Sequence, residues 1–128
     1  MNPTARLFLI LGAANAALVV VLGAFGAHGL RLRLTPEMMA TYQTGAQYHL
    51  FHALGLLAVG LTLTQLAESA LLKWSGWLML AGIVIFSGSL YVLGITGWKW
   101  LGSITPLGGL SFIVAWVLFT VALVKCAR

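Results

Sequence analysis

Apolar residues fill four long stretches of the chain, separated by short polar breaks. The stretches cover about residues 7–30, 47–67, 75–95 and 105–124. Each approaches the roughly 20 residues that an α-helix needs to cross the hydrocarbon core of a bilayer. The breaks are too short to fold into separate domains. The pattern therefore predicts an all-α integral membrane four-helix bundle that forms one domain, residues 1–128.

The first stretch allows a second interpretation. Arg6 could be the basic end of a signal peptide, with a small-residue cleavage site between Ala24 and Ala27. The apolar run is longer than a usual signal-peptide core, which favours a membrane span.

The break after the first span contains a helix start. In "RLRLTPEMMATYQTG", Thr35 can cap a helix whose first turn contains Pro36. Near-helical spacing of the residues that follow predicts a short interfacial helix between spans 1 and 2, with one face at Met38, Met39, Tyr42 and Ala46. Thr105 and Pro106 repeat the same start signal before the fourth span.

Composition agrees with a membrane protein. Hydrophobic residues make up 61% of the chain and charged residues 7%, and the mean hydropathy is +1.02. The seven Lys and Arg residues lie singly or in pairs at the ends of apolar runs. Nucleic acid is therefore not expected as a partner, because phosphate binding needs a concentrated basic face. Cys126 is the single cysteine, so an internal disulfide is also excluded.

Charge also bears on orientation. With four spans, both termini and the middle loop share one side of the membrane, and the two other loops share the opposite side. The first side carries Arg6, Lys73, Lys125 and Arg128, and the second carries Arg31, Arg33 and Lys99. Because positive loops stay in the cytoplasm, this count favours cytoplasmic termini.

Small residues recur at helical spacing in spans 1 and 4. In lipid such residues allow helix backbones to approach closely. We therefore predict helix packing through Gly12, Ala16, Gly23, Gly26, Gly108 and Gly109. The segment "GAFGAHGL" resembles a nucleotide-binding glycine loop only superficially, because it follows no strand and opens no βαβ unit.

Polar side chains collect where spans 1 and 2 meet and where spans 3 and 4 meet. His28 lies two residues before the end of span 1, whereas His49 and His52 fall in the opening turns of span 2. His52 is expected about one to one and a half turns deep. Antiparallel spans bring these ends to one half of the bundle. The predicted polar cluster is His28, Tyr42, Gln47, His49, His52, Ser87, Tyr91 and Thr105.

This cluster has several possible roles. Its members could bond to one another and fix the helices in register. They could also form a site, since histidines bind metal ions, relay protons and, when protonated, hold anionic headgroups. His28, His49 and His52 could supply three nitrogens to a metal, but no carboxylate or thiolate is placed beside them, so no metal and no other cofactor is predicted. No catalytic constellation is recognisable, so the chain is not expected to be an enzyme.

Four motifs in order resemble the YgdD/YwdK-like family of small bacterial membrane proteins, also called domain of unknown function four-two-three. They are "LGAFGAHGL", "TGAQYHLFHALGLL", "FSGSLYVLGIT" and "ITPLGGLSFIVAW". The resemblance spans nearly the whole chain. It implies a four-span protein of the bacterial inner membrane, and it assigns no catalytic or binding residue. The motif residues matched are His28, His52, Ser87, Tyr91, Pro106 and Gly108, whereas His49 is less tied to the pattern.

The sequence thus supports a non-enzymatic bundle as the leading hypothesis. It would bind a membrane lipid, a small amphiphile or a partner helix through the polar cluster, alone or as a homo-oligomer. A small oligomeric transporter or proton-coupled permease is the alternative, and a histidine metal site is a lesser one.

Overall fold

The computed structural model describes residues 1–126, and four long antiparallel helices form the fold of this part of the chain. We number the helices α1 (Pro3–Leu30), α2 (Pro36–Leu63), α3 (Ala70–Thr96) and α4 (Thr105–Cys126). A 3₁₀ turn, Lys99–Ser103, precedes α4. All four segments are long and apolar enough to cross a membrane, and residues 1–126 contain no strand. The predicted all-α membrane bundle is confirmed. Arg128, which entered the charge count, lies outside the described residues.

Side chains and glycine fix the ends of the helices. Asn2 caps α1 by accepting a 2.9 Å hydrogen bond from the backbone N–H of Thr4. Thr35 caps α2 and Ser69 caps α3 in the same way. Gly97 ends α3 at a φ of 73°, a left-handed conformation that glycine adopts without steric cost. The predicted start of α2 at Thr35 and Pro36 is confirmed.

The segment after this cap differs from expectation. Residues 36–46 do not form a separate interfacial helix, because the backbone ladder continues unbroken to Leu63. The resulting helix has 28 residues, or a length of about 42 Å at 1.5 Å per residue. It exceeds the roughly 30 Å hydrocarbon core. The expected short helix is thus the first three turns of α2, with Pro36 where its missing N–H does no harm.

Two helices contain wide π-helical turns. One ends α1 at Gly26–Leu30, and the other interrupts α3 at Ile83–Ser87. A π turn shifts the phase of the side chains that follow it and redistributes backbone acceptors. Both turns lie in segments that the polar cluster was expected to use.

The helices pack in chain order. α1 lies mainly against α2, α2 also contacts α3, and α3 lies against α4. The outer helices α1 and α4 leave large apolar side chains exposed, as expected for surfaces that face lipid. The core between the helices contains Ala5, Phe8, Leu56, Val59, Leu63, Leu72, Met79, Ile83, Phe112, Ala115, Phe119 and Ala122.

Glycine permits close helix contacts, but at positions that differ in part from the prediction. A Cβ at Gly12 would lie 2.8 Å from Leu57, and a Cβ at Gly26 or Gly108 would lie even closer to the neighbouring helix. A Cβ at Gly23 would meet no atom within 4 Å, and a Cβ at Gly109 would make only an ordinary 3.7 Å contact with Phe86. Ala16 is partly exposed. The close contacts that the prediction missed lie in α2 and α3, at Gly45, Gly55, Gly60, Gly76, Gly82 and Gly94.

Candidate functional site

Two buried histidines lie near the middle of α2. His49 is 2% exposed and His52 is 4% exposed. From Pro36 they lie 13 and 16 residues along the helix, about 20 and 24 Å at 1.5 Å per residue. They were expected in the first turns of the span, and the continuous helix places them deeper in α2. At this depth an imidazole needs hydrogen-bond partners from the protein, because lipid offers none.

His49 joins three helices through both ring nitrogens. Its Nδ1 lies 2.8 Å from the Tyr91 hydroxyl of α3, and its Nε2 lies 2.9 Å from Oδ1 of Asn15 of α1. The Asn15 amide nitrogen donates to the Leu11 carbonyl at 2.8 Å, so its oxygen is left to accept. In the neutral ring the proton therefore lies on Nε2, and the Tyr91 hydroxyl donates to Nδ1. We call these three side chains the His49 network.

His52 has the opposite tautomer. The indole N–H of Trp116 on α4 can only donate, and it lies 2.9 Å from Nε2 of His52. Nδ1 therefore carries the proton and donates to the Tyr48 carbonyl at 2.7 Å. The imidazole also stacks on Phe112, with 3.5 Å between ring centroids and 10° between planes. His52 thus links α2 to α4 while both ring nitrogens are bonded.

Beside His52 lies a groove of about 610 Å³ that opens at the surface of the bundle. Its walls are almost entirely apolar. We call it the aromatic groove, and it is lined by Tyr48, Phe51, His52, Phe86, Gly109, Phe112, Ile113 and Trp116. The ring of Tyr48 lies 4.8 Å from that of Phe86, and its hydroxyl has no hydrogen-bond partner within residues 1–126.

Tyr42 lies above the His49 network as the largest fully buried side chain of the described residues. Its hydroxyl donates to the Leu22 carbonyl of α1 at 2.6 Å. Its ring lies over Gly26, where a Cβ would come within 2.5 Å of the ring, and 5.1 Å from the ring of Tyr91. Gly26 therefore makes room for a tyrosine that ties α2 to α1.

The predicted residues of α3 and α4 have different roles. Ser87 is fully buried in the π turn of α3, and within residues 1–126 its hydroxyl is the one buried side-chain polar atom without a partner. The Thr105 hydroxyl lies 2.6 Å from that of Ser89, and Ser89 also donates to the Phe86 carbonyl. This pair ties the start of α4 to α3, away from the histidines.

Two further predicted members are exposed and also lie outside the polar cluster. His28 is exposed on the π turn that ends α1, and Gln47 is exposed on the outer surface of α2. The three histidines therefore do not converge. Among residues 1–126 no group of three or more His, Cys, Asp or Glu side chains is placed to hold a metal ion.

Sequence reasoning missed Asn15 and Trp116, the two side chains that bond the histidines. Asn15 is one polar side chain in the otherwise apolar middle of α1. That isolation is a usable signal, because an intramembrane amide needs a partner. Trp116 gives a weaker signal, because tryptophan is common in membrane proteins near the interfaces. Its one distinguishing feature is its position 11 residues inside α4.

Comparison with known proteins agrees with this architecture. The family model described as "Protein of unknown function (DUF423)" matches residues 22–109. The chain is 51% identical over 120 residues to UPF0382 membrane protein YwdK of Bacillus subtilis, covering 94% of this chain and 98% of the relative. It is 45% identical to UPF0382 membrane protein SERP0230 of Staphylococcus epidermidis, covering 95% and 98%. No solved structure matches the chain. The four helices able to span a membrane and these matches show that the chain is a small membrane protein that belongs to the DUF423 family.

Proposed function

We propose that this protein binds a lipid or small amphiphile in the aromatic groove, in a role without catalysis. The observation that carries the proposal is the groove itself, an apolar recess between α2, α3 and α4 on a surface that faces lipid. Its volume of about 610 Å³ lies in the range of small-molecule sites. The ligand class follows from the lining, since aromatic rings favour an apolar chain or ring.

The polar groups of the aromatic groove limit how many polar atoms the ligand can have. His52 and Trp116 bond to each other, and His52 bonds to its own helix. Neither offers a free donor or acceptor to a ligand. The Tyr48 hydroxyl is the group left to bond, and Tyr48 is 39% exposed. The proposed ligand is therefore predominantly apolar, with at most one carbonyl or hydroxyl near Tyr48.

Tryptophan fluorescence in vesicles tests the proposal. Replacing Trp74, Trp77, Trp98 and Trp100 by Phe leaves Trp116 in the groove wall as the single reporter. The vesicles contain ordinary and acyl-brominated phosphatidylcholine, and brominated chains quench Trp116 fluorescence on contact. If the groove binds an acyl chain, quenching of Trp116 at low brominated fractions should exceed the quenching expected from random contact with lipid.

A variant with a filled groove is compared with the wild-type protein. A Cβ at Gly109 meets only the Phe86 ring at 3.7 Å, so Gly109→Leu fills the groove and leaves the bundle intact. Gly102→Leu is the matched control, because nothing lies within 4 Å of that position. We expect Gly109→Leu alone to reduce the excess quenching. Equal quenching in Gly109→Leu and Gly102→Leu would show that Trp116 senses bulk lipid only.

We also propose that the protein lies in the inner membrane of a bacterium with cytoplasmic termini. The positive residues of the two sides support this orientation, four against three. Labelling of single cysteines introduced at Thr4 and at Leu32, in a Cys126→Ser background, tests it with a reagent that does not cross membranes. In intact cells we expect labelling at position 32, and the reverse pattern would invert the orientation.

A further inference from the structure

The outer face of α1 and α2 carries two glutamine side chains. Gln43 and Gln47 lie one turn apart on α2 and are exposed. They line a groove of about 520 Å³, the glutamine groove, together with Ala46 of α2 and Val19, Val20 and Gly23 of α1. This face is separate from the aromatic groove.

Gln47 lies deep in the membrane. The first span is bounded by Arg6 and Arg31, about 37 Å apart at 1.5 Å per residue. Val19 lies midway between these arginines, and it lines the same groove as Gln47. The Gln47 amide is therefore close to the bilayer midplane, beyond the reach of lipid headgroups and interfacial water.

At this depth the amide needs a protein partner. The neighbouring hydroxyls of Thr41 and Thr44 donate to carbonyls of their own helix. The amides of Gln43 and Gln47 have no hydrogen bond to any residue of 1–126. An amide exposed to hydrocarbon keeps its full desolvation cost, and acyl chains offer neither donor nor acceptor.

We propose that a second copy of this chain packs against the glutamine groove, so that the protein is a two-fold symmetric dimer. A carboxamide both donates and accepts, so identical glutamine faces are complementary across a two-fold axis. The small residues support the same conclusion. Nothing lies within 4 Å of a Cβ at Gly23, so the backbone of a partner helix can approach there, next to the amides.

The dimer is measured by energy transfer between labelled copies as the protein is diluted in vesicles of phosphatidylcholine and phosphatidylglycerol. We expect the double variant Gln43→Leu, Gln47→Leu to raise the dimer dissociation constant about tenfold or more, since it removes at least two interhelical hydrogen bonds. Gln65→Leu is the matched control, because Gln65 is an exposed glutamine in the loop after α2, and it should leave the constant unchanged.

A second variant tests the same interface while both glutamine amides are retained. Gly23→Leu adds bulk to open space and should weaken the dimer while thermal unfolding of the monomer is unchanged. Oxidative cross-linking complements it in a Cys126→Ser background. We expect Gln47→Cys to form a disulfide-linked dimer, whereas Val117→Cys, exposed on α4, should not.

Three results would overturn the proposal. The wild-type protein could be monomeric at all dilutions in the vesicles, or both glutamine and glycine variants could dimerise as tightly as wild type. Gln47→Cys could also cross-link in cells to a different membrane protein in place of a second copy.

Discussion

Replacing His49 by Leu removes the side chain that joins α1, α2 and α3. The substitution breaks two hydrogen bonds, to Tyr91 at 2.8 Å and to Asn15 at 2.9 Å. Interhelical hydrogen bonds in membranes contribute about 0.6 kcal/mol each on average and about 1.7 kcal/mol at most. A partner left unsatisfied in a buried site costs about 1–3 kcal/mol. Asn15 and Tyr91 are both only half-buried, so each pays part of that second cost. We expect His49→Leu to lower the free energy of unfolding by about 2–4 kcal/mol.

Reversible unfolding by sodium dodecyl sulfate in mixed micelles, followed by tryptophan fluorescence, measures this change. A double-mutant cycle with Tyr91→Phe isolates the bond between the two side chains, and its coupling free energy should be about 0.6–1.7 kcal/mol. Leu54→Ala is the control, because Leu54 lies on the same helix and is exposed. A coupling free energy of zero, or a His49→Leu variant as stable as the control, would refute the role given to His49.

Three further substitutions test separate contacts. Gly82→Ala places a methyl group against the Phe112 ring and should destabilise the bundle by about 1–3 kcal/mol in the same unfolding assay; no loss would mean that α3 and α4 separate readily. Trp116→Phe removes the donor to His52 and should cost about 0.6–1.7 kcal/mol, with an upfield-shifted His52 ring proton signal retained because the stack on Phe112 remains; an unchanged stability contradicts the bond. Tyr42→Phe removes the 2.6 Å bond to α1 and should cost about 0.5–1.5 kcal/mol, which hydrogen exchange at the end of α1 would report as faster exchange.

The apolar pattern was sufficient to predict the helices because length and hydropathy alone decide whether a segment spans a membrane. The caps at Thr35 and Pro36 were predictable for a similar reason, since their effect is local. The continuation of α2 was less accessible. Residues 36–46 are polar enough to suggest an interfacial helix, but no proline follows Pro36 before His49 and the ladder continues through Gly45.

The hydrogen-bond partners of the histidines could not be predicted from the spacing of residues along the sequence. Residues three or four apart share a face of one helix. Apolar residues nevertheless occur on every side of these helices, so the pattern does not fix the rotation of each helix about its axis. The contact between Asn15 and His49 depends on that rotation. So does the exposure of His28, because the π turn at Gly26–Leu30 shifts the side-chain phase and has no sequence signal. Ser87 lies in a second such turn.

The His49 network has a consequence for biogenesis. Chains enter the membrane from the N-terminus, so α1 and α2 meet first, and Asn15 and Tyr42 form their contacts within this hairpin. Tyr91 follows His49 by 42 residues, which at about 5–20 residues per second takes about 2–8 s to synthesise. During that interval Nδ1 of His49 has no phenol to bond. Nε2 of His52 also lacks its donor, because Trp116 lies on α4. The hairpin therefore presents two unpaired acceptors, which α3 and then α4 satisfy in the order of their synthesis.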